Sequence, residues 1–389
     1  MTELRGDEAR VADWLGRQYG AMIGLLGDIV TIDSGSYDKE GVDAVAARLE
    51  AFFAEQGIST ATSEGTTESG NLLRAVVGET ANKPPVLLCG HMDTVFPRGE
   101  AGRRPFRIDG GRAYGPGVAD MKAGLVMNAF VLAAFHHCGI EDAPLVGLFT
   151  CDEEIASPYS RRFIEETARG VRAVLNAEPG RVSGNVVIRR KGGVFLRLEV
   201  TGKAAHSGAN FSDGASAIGE LAHKIVALHG LTDIERGTTI NVGLVKGGQS
   251  VNTTAPHAEG EIDFRYAMPA DRAEILAAME RIAERTTVPG TSARLSIRGE
   301  FLPFVPTPES GQVFDCYRQT AGDLGFAVDG EATGGCADSG VTAAVGAPTL
   351  CATGPVGGKV HTPDEYLEVE TIVPRAQAAA LTALRLLRA

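Results

Sequence analysis

Only one tryptophan and few other aromatic residues stand in this chain of 389, and it has no CxxC pair, no basic surplus and no internal repeat. Each absence removes a class of function. The six cysteines (Cys89, Cys138, Cys151, Cys316, Cys336, Cys351) lie far apart, which argues against a zinc ribbon or a disulfide framework. Several sit inside apolar runs such as Val86-Leu87-Leu88-Cys89, so they read as free, mostly buried thiols of a reducing compartment. Against 49 acidic residues there are 37 basic ones, and the net charge of -12 repels polyanions. Neither nucleic acid nor an anionic membrane is the expected partner; a small molecule is. Residues 1–17 are studded with Glu, Arg and Asp and lack the apolar core of a signal peptide. No uninterrupted apolar run approaches membrane-spanning length, and the expected location is the cytoplasm.

What is present is the composition of a globular enzyme, 44% apolar and 22% charged, with 49 glycines pointing to many tight turns. The length exceeds what one core organises, so two domains are expected. Apolar residues at helical spacing run over 7–32 and again over 39–56, stopping at Gly57. Short runs that are apolar throughout follow at 71–77, 86–89, 145–151 and 171–175, separated by helical patterns at 121–138 and 158–169. Strands without alternation, interleaved with helices, predict a largely parallel sheet covered on both faces. From about 190 the texture changes. Segments 194–200, 261–266 and 293–298 alternate, the mark of strands with one wet face, and helical patterns at 214–229 and 269–286 separate them. The first texture returns after the proline-rich passage 303–308. The predicted architecture is an α/β catalytic domain from 1–189 and 303–389, with an inserted α+β domain at 190–302.

Several strand ends carry groups that can do chemistry. In Leu87-Leu88-Cys89-Gly90-His91-Met92-Asp93, a strand ends in His91 and Asp93, two apart and so on one face. On their own they are an ordinary polar strand end or a metal ligand with the carboxylate that orients it. Gly115-Pro116-Gly117-Val118-Ala119-Asp120 delivers Asp120 to the start of a helix, either as a simple N-cap or as a carboxylate aimed by the glycines. Asp152-Glu153-Glu154 ends another apolar strand. Crowded carboxylates repel one another unless cations are present, and the carboxyl edge of an open α/β sheet is where ligands bind. Glu178, after the next strand, and His361, near the C-terminus, complete five candidate ligands drawn from separate strand ends.

Six motifs in series resemble the M20 metallopeptidases, most of all their glutamate-carboxypeptidase branch. They are His91-Met92-Asp93, Gly117-Val118-Ala119-Asp120-Met121-Lys122-Ala123-Gly124, Asp152-Glu153-Glu154, Ala177-Glu178-Pro179, Gly202-Lys203-Ala204-Ala205-His206-Ser207-Gly208 and Gly358-Lys359-Val360-His361-Thr362-Pro363-Asp364-Glu365. The resemblance spans nearly the whole chain, from about residue 32 to the last helix. It implies that Asp120 bridges two divalent metal ions, that His91 and Glu178 complete one site, and that Glu154 and His361 complete the other. Glu153 is then free to act as general base and Asp93 to orient His91. Nitrogen and oxygen ligands suit zinc, with cobalt and manganese open.

In the insert, His206 reads alone as a loop histidine, Asn252 as a turn residue and Arg265 as a strand-edge charge. The resemblance implies instead that His206 crosses a homodimer interface to the partner's oxyanion, and that Arg265 and Asn252 contact substrate. Cys336, in Gly334-Gly335-Cys336-Ala337-Asp338, departs from the small non-thiol residue expected there. The expected activity is metal-assisted hydrolysis of an amide, peptide or N-acyl amino acid, in a substrate bearing a carboxylate. A deacylase with the same metal core is the alternative. A metal-dead scaffold would lack a ligand or Glu153, and none is missing.

Overall fold

Strands whose apolar residues do not alternate with polar ones need cover on both faces, and two central ones have it: every residue of Val86–His91 and of Leu145–Thr150 is buried. The computed structural model describes residues 4–78 and 82–389. Its Cα positions divide into two units, one made of 1–189, 306–333 and 337–389, the other of 190–305 and 334–336.

The first unit is built on an eight-stranded sheet. In spatial order its strands are Thr60–Ser63, Leu72–Val77, Leu145–Thr150, Val86–His91, Ala173–Asn176, Thr349–Cys351, Val186–Arg190 and Gly330–Thr333. The middle four run parallel, while Leu72–Val77 pairs antiparallel with both its neighbours and Val186–Arg190 antiparallel with Thr349–Cys351. Registers His91 to Thr150 and Cys89 to Asn176 bring the carboxyl ends of the three central strands side by side. The helical pattern expected over 7–32 is two helices, Gly6–Gly16 and Tyr19–Val30. The chain turns at Arg17 and Gln18, just after Gly16, a residue that weakens a helix.

The segment Val118–His137 is long and apolar enough in composition to cross a membrane, yet 94% of it is buried in the structure. Its regular part, Ala123–His137, is a core helix. Gly124 lets this helix approach the sheet, since a Cβ there would stand 2.1 Å from the Ala177 carbonyl oxygen. A second, small sheet of Gly357–Gly358, Tyr366–Glu368, Arg112–Tyr114 and Arg107–Asp109 frames the loop that carries His361. These strands have two or three residues each, too short for periodicity to show.

The second unit is an antiparallel sheet ordered Thr239–Gly247, His257–Tyr266, Gly192–Thr201 and Ser292–Phe301, with helices Ala217–His229 and Pro269–Glu284. Val194, Leu196, Leu198, Val200, Ile262 and Phe264 bury one face against these helices. Alternation is clean in His257–Tyr266, as expected of a sheet with one wet face. Thr239–Gly247 is an additional strand at the sheet's edge, mostly exposed.

Candidate metal centre

Where the central strands end, six side chains converge. His91, the last residue of its strand, is buried and turns Nε2 toward Asp120 Oδ1 at 3.3 Å, Glu153 Oε2 at 3.8 Å and Glu178 Oε1 at 3.8 Å. His361 Nε2 lies 3.3 Å from Asp120 Oδ2 and 3.2 Å from Glu154 Oε2. Asp120 thus stands between the two imidazoles, one carboxylate oxygen toward each. All five residues read from the sequence as ligands are brought together, with Glu153 among them.

The local backbone explains the aim. Asp120 is not an N-cap: it lies in an irregular stretch (φ -110°, ψ 94°) ahead of the helix that begins at Ala123. Gly117 has φ +70°, and a Cβ there would meet Thr94 Cγ2 at 2.4 Å, so the turn that presents Asp120 requires glycine. Glu365 then holds this turn. Its buried carboxylate accepts from the backbone N–H groups of Gly117 (3.2 Å), Ala119 (2.9 Å) and Asp120 (3.0 Å). His361 itself has φ +62°, in the left-handed region.

Asp93 organises the other side. Its carboxylate accepts from the Glu153 N–H (3.0 Å), the Glu154 N–H (3.1 Å) and the Ser36 hydroxyl (2.6 Å). His91 Nδ1 sits 3.0 Å from the Asp93 carbonyl oxygen and 3.3 Å from its carboxylate. An Nδ1–H donated to the carbonyl leaves Nε2 as the lone-pair nitrogen that faces the acids. Past Glu154 the chain passes through Ala156 (φ +71°) and Ser157 (φ +52°), and the Ser157 hydroxyl donates to buried Asp338.

The electrostatics are those of a cation site. Four carboxylates crowd the two imidazoles. Burial pushes Glu154 up to about 7, with Asp120 adding to the rise and His361 opposing it. Glu153 is raised well above the usual carboxylate range, first by burial. His361 is raised to about 10 by Asp120 and Glu154. Burial alone would lower His91, yet Asp120, Asp93 and Glu153 outweigh it and hold the ring well above the ordinary imidazole range. Protons are thus drawn in to offset a surplus of negative charge. Meanwhile His91 Nε2 and Glu154 Oε1 are buried without a hydrogen bond, an arrangement that costs free energy unless a cation takes them. The triads His91, Asp120, Glu154 and His91, Glu153, Glu178 each place their ligand atoms within 4.8 Å of one another. The donor set and its geometry fit divalent metal.

The remaining expected residues belong to the second unit. His206 Nδ1 accepts from the N–H groups of Gly208 (3.1 Å) and Ala209 (3.2 Å), so its proton sits on Nε2. Asn252 is exposed, its carbonyl accepting from Ser207 N–H (2.9 Å) and its side chain from the Ser250 hydroxyl (2.9 Å). Arg265 donates through Nε to Asp263 (2.7 Å) and through Nη1 to the Cys336 sulfur (2.7 Å), and Cys336 donates to the Lys191 carbonyl (3.3 Å). The sequence reading assigned no part to Glu365, Ser36 or Asp338. Glu365 lies in the quoted His361 motif, and that closeness was the only signal.

The profile of peptidase family M20/M25/M40 matches residues 87–385. Carboxypeptidase G2 of a Pseudomonas strain is 29% identical over 371 residues, 92% of this chain and 88% of that one. Acetylornithine deacetylase of Myxococcus xanthus is 29% identical over 266 residues, 63% of this chain and 67% of that one. Among solved structures, an M20 family metallo-carboxypeptidase of Sulfolobus solfataricus superposes with a TM-score of 0.78 at 18% identity, covering 94% of this chain and 99% of that one. With most of its length matched and the acid-and-histidine cluster inside the matched region, the chain belongs to peptidase family M20/M25/M40 and is a metal-dependent hydrolase of amide bonds.

Proposed function

We propose that the chain holds two divalent metal ions, zinc being the natural fit to its donors, and cleaves a carboxypeptidase-type amide in a small carboxylate-bearing substrate. The observation that carries this reading is Asp120, with one oxygen toward His91 and the other toward His361. His91 and Glu178 would hold one metal and Glu154 and His361 the other, with Asp120 able to serve both. Bound metal supplies Lewis acidity and lowers the pKa of water at the site. Glu153 takes the proton of the attacking water on a carboxylate oxygen and delivers it to the leaving nitrogen. Asp93 fixes Glu153 and Glu154 through their backbone N–H groups. Arg265 and Asn252 bind the substrate, Arg265 by its carboxylate, and Asp263 and Cys336 set the plane of the guanidinium.

His206 donates from Nε2 to the oxyanion of a partner subunit's site, in a homodimer formed through the second unit. Six free thiols suit a reducing compartment, and the location we propose is the cytoplasm. A deacylase of N-acyl amino acids is the second reading, supported by the similarity to acetylornithine deacetylase. A release assay over dipeptides and N-acyl amino acids tests the proposal. A chelator is expected to abolish turnover and lower thermal stability, and zinc, cobalt or manganese to restore both. Full turnover after rigorous metal removal contradicts it.

A further inference from the structure

One wall of the candidate metal centre is shared with a cavity of about 650 Å³ in the first unit, whose lining includes Glu154, Ile155, Tyr37, Val95, Phe96 and Pro97. We propose that this cavity is the subsite for the half of the substrate that does not carry the recognised carboxylate, and that it takes a neutral, ring-sized apolar acyl group. The proposal rests on the amide-hydrolase reading above and adds the substrate class to it. Three observations carry it.

The first is position. Glu154 belongs both to the cavity wall and to the cluster around Asp120 and His361, so a group seated here is continuous with a bond held at the metal centre. An amide hydrolase has two product halves to accommodate, and the carboxylate half is assigned to Arg265.

The second is that the cavity is pre-formed and presents unpaired apolar surface. Asp33 accepts from the N–H groups of Gly99 (2.7 Å) and Ala101 (2.7 Å), Ser34 accepts from Thr94 N–H (2.8 Å), and Thr94 accepts from Ser36 N–H (3.2 Å). The wall 94–99 is therefore fixed without help from a ligand. On it Val95 is 43% exposed, and facing solvent from the adjoining loop Tyr37 is 82% exposed. Large apolar side chains gathered at a cavity mouth, rather than scattered, mark a binding site.

The third is charge. Among the described lining residues Arg98 is the one cation, and it is already paired: it donates to Asp38 through Nε (2.8 Å) and to Glu40 through Nη2 (2.9 Å). Two carboxylates against one guanidinium leave no attraction for an anionic group. The Ser36 hydroxyl is spent on Asp93. What the cavity offers is apolar contact, in a volume several times the ~150 Å³ that holds a benzene. An acetyl group would leave most of it unfilled.

The test compares N-acetyl and N-(4-phenylbutanoyl) derivatives of one amino acid with the metal-loaded full chain. The ring substrate is expected to have kcat/KM at least about tenfold higher, and Val95→Asp or Tyr37→Ala to bring the ratio close to one. Both residues are exposed enough for the fold to tolerate the change, which circular dichroism and metal content check. A ratio near one in the wild type, or variants that slow both substrates equally, overturns the subsite. Calorimetric titration of neutral 4-phenylbutanamide gives a readout free of turnover, with binding expected to wild type and at least about tenfold weaker to Val95→Asp. Ring binding without hydrolysis of any N-acyl amino acid or dipeptide supports the subsite and sinks the hydrolase reading. Hydrolysis with neither ring preference nor ring binding sinks the subsite alone.

Discussion

At Asp93 one buried carboxylate receives a hydroxyl and two backbone N–H groups, those of the adjacent Glu153 and Glu154. On the proposed assignment a base and a metal ligand stand one residue apart, and pinning the turn at both nitrogens is what would aim them at different tasks. Arg265 is held in a similar way by Asp263 and Cys336, and the cysteine that departs from expectation acts there as an acceptor. If the guanidinium's planar fork reads the substrate carboxylate, as proposed, Arg265→Lys is expected to be nearly as harmful as Arg265→Ala. Amidating the substrate's carboxylate should then lower kcat/KM sharply in wild type and little in either variant. Equal losses in all three backgrounds would show that Arg265 does not read that group.

Between elements, a buried ion pair on the helix Ala217–His229 ties it to the C-terminal end of the second unit's other helix. Lys224 Nζ lies 2.9 Å from Glu220 and donates to the carbonyls of Ile282, Ala283 and Arg285, closing the end of Pro269–Glu284. Glu220 accepts from the N–H groups of Thr287 and Val288. Burial alone would raise the Glu220 carboxyl, but these N–H groups and Lys224 hold it below the usual carboxylate range. Its contribution is therefore present above the unfolded pKa and lost as pH falls through the lower folded value. In denaturant titrations Lys224→Ala is expected to cost about 3–5 kcal/mol. The deficit of Glu220→Gln should be constant above about pH 5 and shrink below about pH 4. A deficit that grows toward acid pH would contradict this account of the pair.

Legibility followed element length and burial. Val86–His91 and Leu145–Thr150 could be read because both faces are covered and no polar residue interrupts them before His91 and Thr150 at their ends. Thr239–Gly247 could not, because as an exposed edge strand with Gly243 and Lys246 it has no alternation to show. The residues of the candidate metal centre were legible as acids and histidines near strand ends. Glu365 was not, because its partners are backbone groups far back in the chain.

For the whole molecule, the edge strand Thr239–Gly247 leaves Leu244 and Val245 more than half exposed, a surface that pairing across a twofold axis would cover. If such a dimer shares its sites, His206→Ala and Glu153→Gln chains are each nearly inactive alone. Mixed under subunit exchange they should recover about a quarter of wild-type turnover, since about half the dimers are mixed and each then has one intact site. No recovery, with mixed dimers confirmed by mass, would place His206 in its own chain's site or in none. The central claim, that neighbouring acids divide into base and ligand at a two-metal centre, is tested most directly by metal analysis and turnover of Glu153→Gln and Glu154→Gln. The account predicts that Glu153→Gln keeps about two metals per chain while turnover falls by roughly 10²–10⁴-fold, and that Glu154→Gln loses metal. A Glu153→Gln protein that loses metal, or one that keeps its turnover, would contradict it.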